Sequence, residues 1–150
     1  MKAVVQRVSK ASVFVNSEKI ASIGIGLLIL LGVENQDNDS DINWLSKKII
    51  KLRIFKDNNN LVEKSVKEVG GDIIVVSQFT LYASTKKGNR PSYIKAAKSE
   101  LAFNLYQKFI EQTQINLSKK IQTGRFGVNM KVELVNNGPV TLIIDSKNKQ

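Results

Sequence analysis

Residues 128–145, with the sequence VNMKVELVNNGPVTLIID, place a Gly-Pro pair inside what otherwise has the pattern of one long β-strand. The apolar residues that keep a two-residue period are Val132, Leu134, Val140, Leu142 and Ile144. That period predicts a strand with one buried face. Proline cannot donate a backbone hydrogen bond to a neighbouring strand, so Pro139 belongs at an edge, a bulge or a break.

The residues alone leave two interpretations of the Gly-Pro pair open. Asn136-Asn137-Gly138 has the composition of an ordinary turn. Alternatively, Gly138 and Pro139 are presented rigidly with their carbonyl groups directed at a ligand, because glycine tolerates unusual backbone angles and X-Pro bonds are where cis peptides occur. The function of the protein depends on which interpretation holds.

Two continuous apolar segments predict strands that are buried on both faces. They are GLLILLGV at 26–33 and DIIVVSQFTLYA at 72–83, the second with its buried part at 73–76. Nearer the amino terminus, Lys2 to Val8 and Ala11 to Asn16 predict a strand pair with Ser9-Lys10 between them, and Glu18 to Ile23 predicts a third strand. The core is therefore expected to centre on a sheet.

Two helices are predicted from apolar residues at helical spacing. The first starts at Asp39-Ser40-Asp41, where short acceptor side chains and acidic charge suit a helix amino terminus; its stripe is Ile42, Leu45, Ile49 and Leu52. The second spans 92–112, with the stripe Ile94, Ala97, Leu101, Leu105 and Phe109. A turn is predicted at 57–60. No repeat or composition break divides the chain, which predicts one domain over 1–150.

The charge balance and the missing residue types limit the possible chemistry. The chain carries 23 basic and 13 acidic residues, a net charge of +10. This excess suits an anionic partner such as nucleic acid, although a lysine-rich solvated surface explains it equally well. There is no cysteine and no histidine. Thiolate nucleophiles, disulfides and a Ser-His-Asp triad are therefore excluded, and a metal site is not expected.

Three segments carry candidate functional residues, each with a structural alternative. Ser77-Gln78-Phe79-Thr80 follows a buried strand and offers successive N–H groups for an oxyanion, or simply closes the strand. Phe126 and Met130 suit a wall that stacks on a nucleobase, or belong to the core. Lys86, Lys87 and Arg90 lie in a loop that suits phosphate contacts, or is only solvated. No segment has the pattern of a signal peptide or a membrane span, which predicts a cytoplasmic protein.

Taken together, these segments resemble the D-aminoacyl-tRNA deacylases along nearly the whole chain. The landmarks are MKAVVQRVSKASV, GLLILLGV, WLSKKIIKLRIF, VVSQFTLYA, TKKGNRPS, TGRFG and NNGPVTLIID. Most of the specificity lies in 77–80 and 137–141. The resemblance implies an α/β fold with a mixed or antiparallel, barrel-like sheet core and two main helices.

The resemblance also implies a function and a set of site residues. The function is hydrolysis of the ester that joins a D-amino acid, or glycine, to the 3′ end of tRNA, by a homodimer that needs no cofactor. Gly138 and Pro139, in cis, would enter the partner subunit's pocket and reject L-amino acids, with Thr141 beside them. The N–H groups of 78–80 would hold the ester carbonyl, and Phe126 and Met130 the terminal adenosine.

Two departures and two rival functions follow from the same resemblance. Phe79 separates this chain from an animal relative of the family that has a small residue there and altered chirality. Val128 and Asn129 stand where the family often has alanine and a variable polar residue, so the larger Val128 is expected to alter the Phe126–Met130 wall. No base would activate Thr80 as a nucleophile, which favours a hydrogen-bonding role for its hydroxyl. The rivals are a non-catalytic RNA-binding domain and a structural dimer in which the Gly-Pro segment is only a turn.

Overall fold

Strands and two helices form the fold in a computed structural model that describes residues 1–56, 59 and 63–149. The strands are β1 (Lys2–Val15), β2 (Glu18–Ile23), β3 (Gly26–Gly32), β4 (Phe55–Lys56), β5 (Glu63–Lys64), β6 (Asp72–Ser77), β7 (Gln122–Thr123) and β8 (Lys131–Asp145). The α-helices are α1 (Asp39–Lys51) and α2 (Ser99–Leu117), and a 3-10 helix covers Phe79–Tyr82. Apart from Asn59, the turn predicted at 57–60 lies outside the described residues.

One mixed sheet organises the molecule. Its strands follow the order β2-β1-β3-β6-β7, and β8 pairs with β1. The pairs β3–β6 and β6–β7 are parallel, whereas β1 runs antiparallel to β2, β3 and β8. The result is a nearly closed, barrel-like sheet with two α-helices, which confirms the predicted fold class. Separately, β4 and β5 form a two-stranded sheet.

The two central strands are buried on both faces, as the apolar runs predict. On β3, Leu27 and Ile29 pack with the helices in one cluster, while Leu28 packs with residues of β1, β2 and β6 in a second cluster. On β6, Ile73 joins the first cluster and Ile74 the second. Each of these side chains is at most 1% exposed. Full burial of such a side chain contributes roughly 1.5–3 kcal/mol.

Helix α1 begins where the sequence predicts. Asn38 is the N-cap: its side chain accepts a hydrogen bond from the N–H of Ser40 at 2.9 Å, and its own N–H donates to Asp41 Oδ2 at 3.0 Å. Reciprocal caps of this kind satisfy N–H groups that have no partner inside the helix. The predicted stripe Ile42, Leu45 and Ile49 is buried, and α1 packs on α2.

The predicted break at Ser9-Lys10 is wrong, because β1 is one continuous strand. Its buried positions change phase along the strand, at Arg7 and again at Ser9-Lys10. The β1–β8 register shifts at the same two places, between Gln6 and Val8 and between Val8 and Lys10. Such shifts are bulges, which interrupt the two-residue period without reversing the chain.

The predicted second helix is wrong at both ends, since α2 begins at Ser99 and ends at Leu117. The segment before it forms backbone hydrogen bonds to other parts of the chain instead. Ser92 pairs with Ser84, and the N–H of Ala97 donates to the carbonyl of Val33 at 2.9 Å. Ile94 is consequently 87% exposed rather than part of the apolar stripe.

The predicted strand over 72–83 is also shorter than expected, since β6 ends at Ser77 and the 3-10 helix follows. At the other long strand, 137–140 form a bulge. In the β1–β8 ladder, Gln6 faces Thr141 and Val8 faces Asn136, so four residues of β8 lie opposite the single residue Arg7. Both sides of the bulge pair with β1 in the same direction, and the interpretation as a reversing turn is therefore wrong.

Both ends of the described chain meet in a buried cluster of charged and polar groups. The Met1 ammonium donates to Asp37 Oδ1 at 2.5 Å and to Ser146 Oγ at 2.7 Å. Ser146 donates in turn to Asp41, which also accepts from Lys147 Nζ at 2.7 Å. Because the Met1 and Asp37 charged groups are fully buried, each needs the other for compensation.

Candidate active site

A cleft of about 680 Å3 opens beyond the carboxyl ends of β3 and β6. The ends of parallel strands are a frequent place for ligand sites in α/β folds. The cleft is lined by Leu31, Val33, Val76, Ser77, Gln78, Phe79, Tyr93, Ala96, Ala97, Lys98, Ser99, Ala102, Phe126, Gly127, Val128, Asn129, Met130 and Val132. The structure thus brings the predicted residues Ser77, Gln78, Phe79, Phe126 and Met130 together from two separate segments.

Backbone donors lie at the end of β6. The N–H of Gln78 donates to the carbonyl of Leu31 at 2.8 Å and continues the pairing of β6 with β3. Phe79 and Thr80 open the 3-10 helix, and in the described part of the chain no acceptor lies on either N–H. The first N–H groups of a helix have no partner inside it. Two free donors therefore remain from the predicted segment.

The Thr80 side chain does not line the cleft. Its hydroxyl oxygen accepts a hydrogen bond from the side-chain amide of Gln78. Within the described residues no carboxylate or amine contacts this hydroxyl, so nothing there can remove its proton. The arrangement agrees with a hydrogen-bonding role for Thr80 and ties the conformation of Gln78 to the start of the 3-10 helix.

An aromatic cluster forms the opposite wall of the cleft. The Phe126 ring contacts Phe103 with centroids 5.2 Å apart and Tyr106 with centroids 5.6 Å apart. The Tyr106 hydroxyl donates to the carbonyl of Val75 at 2.9 Å, and burial raises the pKa of Tyr106 to about 12. Met130 is held beside Phe126 because its sulfur accepts the N–H of Arg125 at 3.3 Å. Val128 lines the same wall and is 40% exposed.

The cleft mouth carries one aromatic pair and one charge. Phe79 and Tyr93 meet edge to face with centroids 5.0 Å apart, and Phe79 is 54% exposed. Among the described residues that line the cleft, Lys98 is the one charged side chain. The site therefore offers apolar surface, main-chain donors and a single cation, without a carboxylate.

Gly138, Pro139 and Thr141 do not line this cleft. The Gly138–Pro139 peptide is cis, and both residues are exposed on the 137–140 bulge. Asn136 braces the bulge from within β8: its Oδ1 accepts the N–H of Val140 at 3.0 Å, and its Nδ2 donates to Thr141 Oγ1 at 2.7 Å. The bulge is thus a fixed outward projection of the chain that holds the cleft.

Arg7 also braces the bulge, and the sequence analysis did not find it. Its Nε donates to the carbonyl of Asn137 at 2.8 Å, and Nη1 donates to the carbonyl of Ile54. The signal available in the sequence was an arginine inside the alternating pattern of β1. Arginine is seldom buried without acceptors, so its position there indicates that it binds nearby carbonyl groups.

The basic residues Lys86, Lys87 and Arg90 are exposed in a loop that does not line the cleft. Reciprocal backbone hydrogen bonds between Ser84 and Ser92, at 2.8 and 2.9 Å, close this loop. Tyr93 follows directly and reaches the cleft mouth. The loop therefore lies beside the cleft in the chain, without contributing to its wall.

Neither a cluster of metal-ligating side chains nor a membrane-spanning helix occurs in the part of the chain that the structure describes. No group of three metal-ligating side chains lies close enough together there to hold an ion. Neither described helix combines the length and the apolar character needed to cross a bilayer.

The comparisons with known proteins agree along the whole chain. The model of the family described as D-Tyr-tRNA(Tyr) deacylase matches residues 4–145. A D-aminoacyl-tRNA deacylase of Flavobacterium psychrophilum is 63% identical over 150 residues, and one of Christiangramia forsetii is 60% identical; each alignment covers all of both chains.

Two solved structures extend the comparison. A c-Myc DNA unwinding element binding protein is 40% identical, with a TM-score of 0.90 over 97% of this chain and 98% of that one. A probable eukaryotic D-amino acid tRNA deacylase is 15% identical, with a TM-score of 0.81 over 95% and 97%, and shows the shared fold. With the family match over 4–145 and full-length relatives at 60% identity or more, this chain belongs to the D-Tyr-tRNA(Tyr) deacylase family.

Proposed function

We propose that this enzyme hydrolyses the ester of D-aminoacyl-tRNA, and of glycyl-tRNA, to free amino acid and tRNA, while sparing L-aminoacyl-tRNA. The observation that carries the proposal is the full-length similarity to relatives named D-aminoacyl-tRNA deacylase, at 63% identity in one case. Residues 1–150 form one deacylase domain in this proposal, and the protein acts in the cytoplasm as a proofreading factor for translation.

The ester carbonyl binds at the free N–H groups of Phe79 and Thr80. As water adds to the carbonyl carbon, negative charge develops on the oxygen, and fixed N–H donors stabilise that charge without reorganisation. Ser77 and Gln78 flank these donors on the cleft wall. Main-chain donors of this kind suit a protein without histidine or cysteine.

The proton transfers are assigned to the substrate and water. None of the described residues that line the cleft carries a carboxylate, and the Thr80 hydroxyl accepts a bond from Gln78 instead of facing a base. The terminal ribose carries a 2′-hydroxyl next to the ester, and this group assists the attacking water. The bond between the carbonyl carbon and the 3′-oxygen then breaks, and the 3′-oxygen takes up a proton.

The terminal adenosine occupies the aromatic wall. Phe126 and Met130 contact the base, and stacking on an aromatic ring contributes roughly 1–3 kcal/mol per base. Phe103 and Tyr106 hold the Phe126 ring from behind, at 5.2 and 5.6 Å between centroids. Lys86, Lys87 and Arg90 meet the tRNA backbone from the neighbouring loop.

Selectivity is assigned to Gly138 and Pro139 of a second subunit. In the proposed homodimer the bulge, which is exposed and does not line the cleft of its own subunit, enters the cleft of the partner subunit, with Thr141 supporting it. There its carbonyl groups bind the substrate's amino group, and the backbone occupies the space that an L side chain needs. A rigid backbone excludes the L side chain by steric overlap. Such overlap discriminates between the D and L substrates more strongly than a small difference in pocket size does.

The test compares D-Tyr-tRNA with L-Tyr-tRNA, using hydrolysis of each ester in buffer without protein as the background. We expect rapid cleavage of the D ester by the wild-type protein and none of the L ester above background. Rates with the wild-type protein equal to those in buffer on both esters would leave a non-catalytic RNA-binding domain as the better description. Size-exclusion chromatography with light scattering tests the homodimer independently.

A further inference from the structure

We infer that the first turns of α2 form a second nucleotide subsite beside the cleft. In this subsite Phe103 stacks on the base that precedes the terminal adenosine of the single-stranded tRNA end, and Lys98 binds a phosphate of that nucleotide. The inference rests on the proposed function and extends it, since it assigns a base and a phosphate to Phe103 and Lys98, to which the proposed function assigns no part of the substrate.

Phe103 provides an exposed aromatic surface next to Phe126 and Met130, the residues proposed to bind the terminal adenosine. It is 46% exposed, although it is a large apolar side chain on a helix. Its ring meets Phe126 at an interplanar angle of 68°, with centroids 5.2 Å apart. In this edge-to-face arrangement Phe126 does not cover both faces of the Phe103 ring, so a nucleobase can stack on it while another base contacts Phe126.

Lys98 provides charge complementarity at the same end of α2. It lines the cleft as its one charged described residue, immediately before α2 begins. No carboxylate in the described part of the chain lies within ion-pair distance of its ammonium. Each nucleotide added to the terminal adenosine brings a phosphate, and an unpaired lysine is a suitable counter-charge.

The start of α2 places Phe103 near the cleft-lining residues that follow Lys98. Phe103 lies four residues after Ser99, which lines the cleft, so these two side chains share one face of α2, and Lys98 directly precedes Ser99. Ala102, between them in sequence, lines the cleft and leaves room near the backbone. A nucleotide whose base lies on Phe103 can therefore place its phosphate towards Lys98 while the chain continues into the cleft.

The experiment compares two minimal substrates, 3′-O-D-tyrosyl-adenosine and a D-tyrosyl-CCA trinucleotide. The measured quantity is the ratio of their kcat/KM values, which isolates the contribution of the added nucleotides. We expect the wild-type protein to prefer the trinucleotide, and Phe103→Ala and Lys98→Gln each to lower that preference about fivefold or more. Ile115→Ala and Lys120→Gln, at the opposite end of α2, are matched controls that should leave the ratio unchanged.

Several results would overturn the subsite. If Phe103→Ala lowers kcat/KM equally on both substrates, Phe103 only supports Phe126. If Lys98→Gln leaves the ratio unchanged, Lys98 does not bind the phosphate. NMR titration of the wild-type protein and both variants with uncharged CCA and with adenosine measures the subsite without hydrolysis. Failure of the wild-type protein to cleave either ester would instead count against the proposed function, and the titration would still decide on the subsite.

Discussion

Arg7 and Asn137 are 130 residues apart in sequence, yet the Arg7 Nε donates to the Asn137 carbonyl at 2.8 Å and fixes the start of the 137–140 bulge. The same guanidinium reaches the carbonyl of Ile54, so one side chain joins the bulge to the segment after α1. The position of the bulge is therefore set by tertiary contacts as well as by its own sequence.

Arg7→Lys keeps the charge and removes the planar arrangement of donors that serves two carbonyls. We expect the bulge to loosen, so that discrimination between D-Tyr-tRNA and L-Tyr-tRNA falls about tenfold, which corresponds to about 1.4 kcal/mol. Initial rates on the two esters check this expectation. Arg90→Lys, in the exposed loop, is the control, and equal discrimination in both variants would contradict the role of Arg7.

Gly138→Ala tests the bulge directly. The residue has φ +137°, and a Cβ added there would lie 2.6 Å from Arg7 Nη2. We expect D/L discrimination to fall because Arg7 must move. Gly88→Ala is a closely matched control, since Gly88 also has φ +137° and a Cβ there meets nothing within 4 Å. Both variants should lose about 1–3 kcal/mol of unfolding free energy from the backbone conformation. Unchanged D/L discrimination in Gly138→Ala would show that Gly138 does not take part in the rejection of L-aminoacyl-tRNA.

Thr80→Val distinguishes a hydrogen-bonding threonine from a nucleophilic one. The substitution keeps the shape of the side chain and removes the acceptor for the Gln78 amide. We expect single-turnover hydrolysis of D-Tyr-tRNA to slow less than about tenfold, the equivalent of 1.36 kcal/mol in the barrier. A loss of a thousandfold or more would show that the Thr80 oxygen takes part in bond formation.

Asp37→Asn tests the buried cluster at the chain ends. The variant leaves the fully buried Met1 ammonium without its counter-charge, so we expect a loss of about 3–5 kcal/mol in the free energy of unfolding. Asp39→Asn breaks the exposed pair with Lys108 and should cost less than about 1 kcal/mol. Urea unfolding of both variants gives the comparison, and similar losses in the two would mean that the buried pair adds no stability of its own.

The lowered pKa of the Asp41 carboxyl predicts how the free energy of unfolding depends on pH. Desolvation raises the pKa of its carboxyl, but hydrogen bonds from Lys147, Ser146 and the Asn38 N–H outweigh this effect and bring it below its usual 3.8. A group with a lowered folded pKa stabilises the protein above its unfolded pKa, and this contribution disappears as pH falls through the folded value. We therefore expect unfolding free energy to decline below about pH 4.

The Asp41→Asn variant is the control for that decline. Asparagine does not titrate, so its stability should fall less steeply with acidification over the same interval. Urea titrations between pH 7 and pH 3 measure both curves. Parallel curves for the two proteins would assign the acid sensitivity to other carboxyl groups.

Elements whose residues carry their own signal were predictable from sequence. The β3 and β6 runs are apolar on both faces, and the Asn38–Asp41 cap is local to the start of α1. The start of α2 was not predictable, because Ala97 bonds to Val33 on a distant segment and a turn closed by the Ala96 N–H and the Tyr93 carbonyl precedes the helix. The continuity of β1 was missed because its bulges interrupt the period on which strand prediction depends.

The candidate site was predictable as a set of segments but not as a geometry. The resemblance picks out 77–80, Phe126 and Met130, and these line one cleft except for Thr80. The parallel pairing of β6 with β3 uses the Gln78 N–H and leaves those of Phe79 and Thr80 free, which no local pattern reveals. The Arg7 brace depends on a ladder between the two ends of the chain, so it also required the structure.

The bulge lies inside β8, whose residues on both sides of it pair with β1. While the Arg7 and Asn136 contacts hold, heat or denaturant releases the bulge only together with that ladder, since both flanks of the bulge pair with β1. Under the proposed function, thermal damage to the wild-type protein therefore removes activity before it removes selectivity. An enzyme that loses activity before selectivity leaves the correctly charged L-aminoacyl-tRNA of the cell intact.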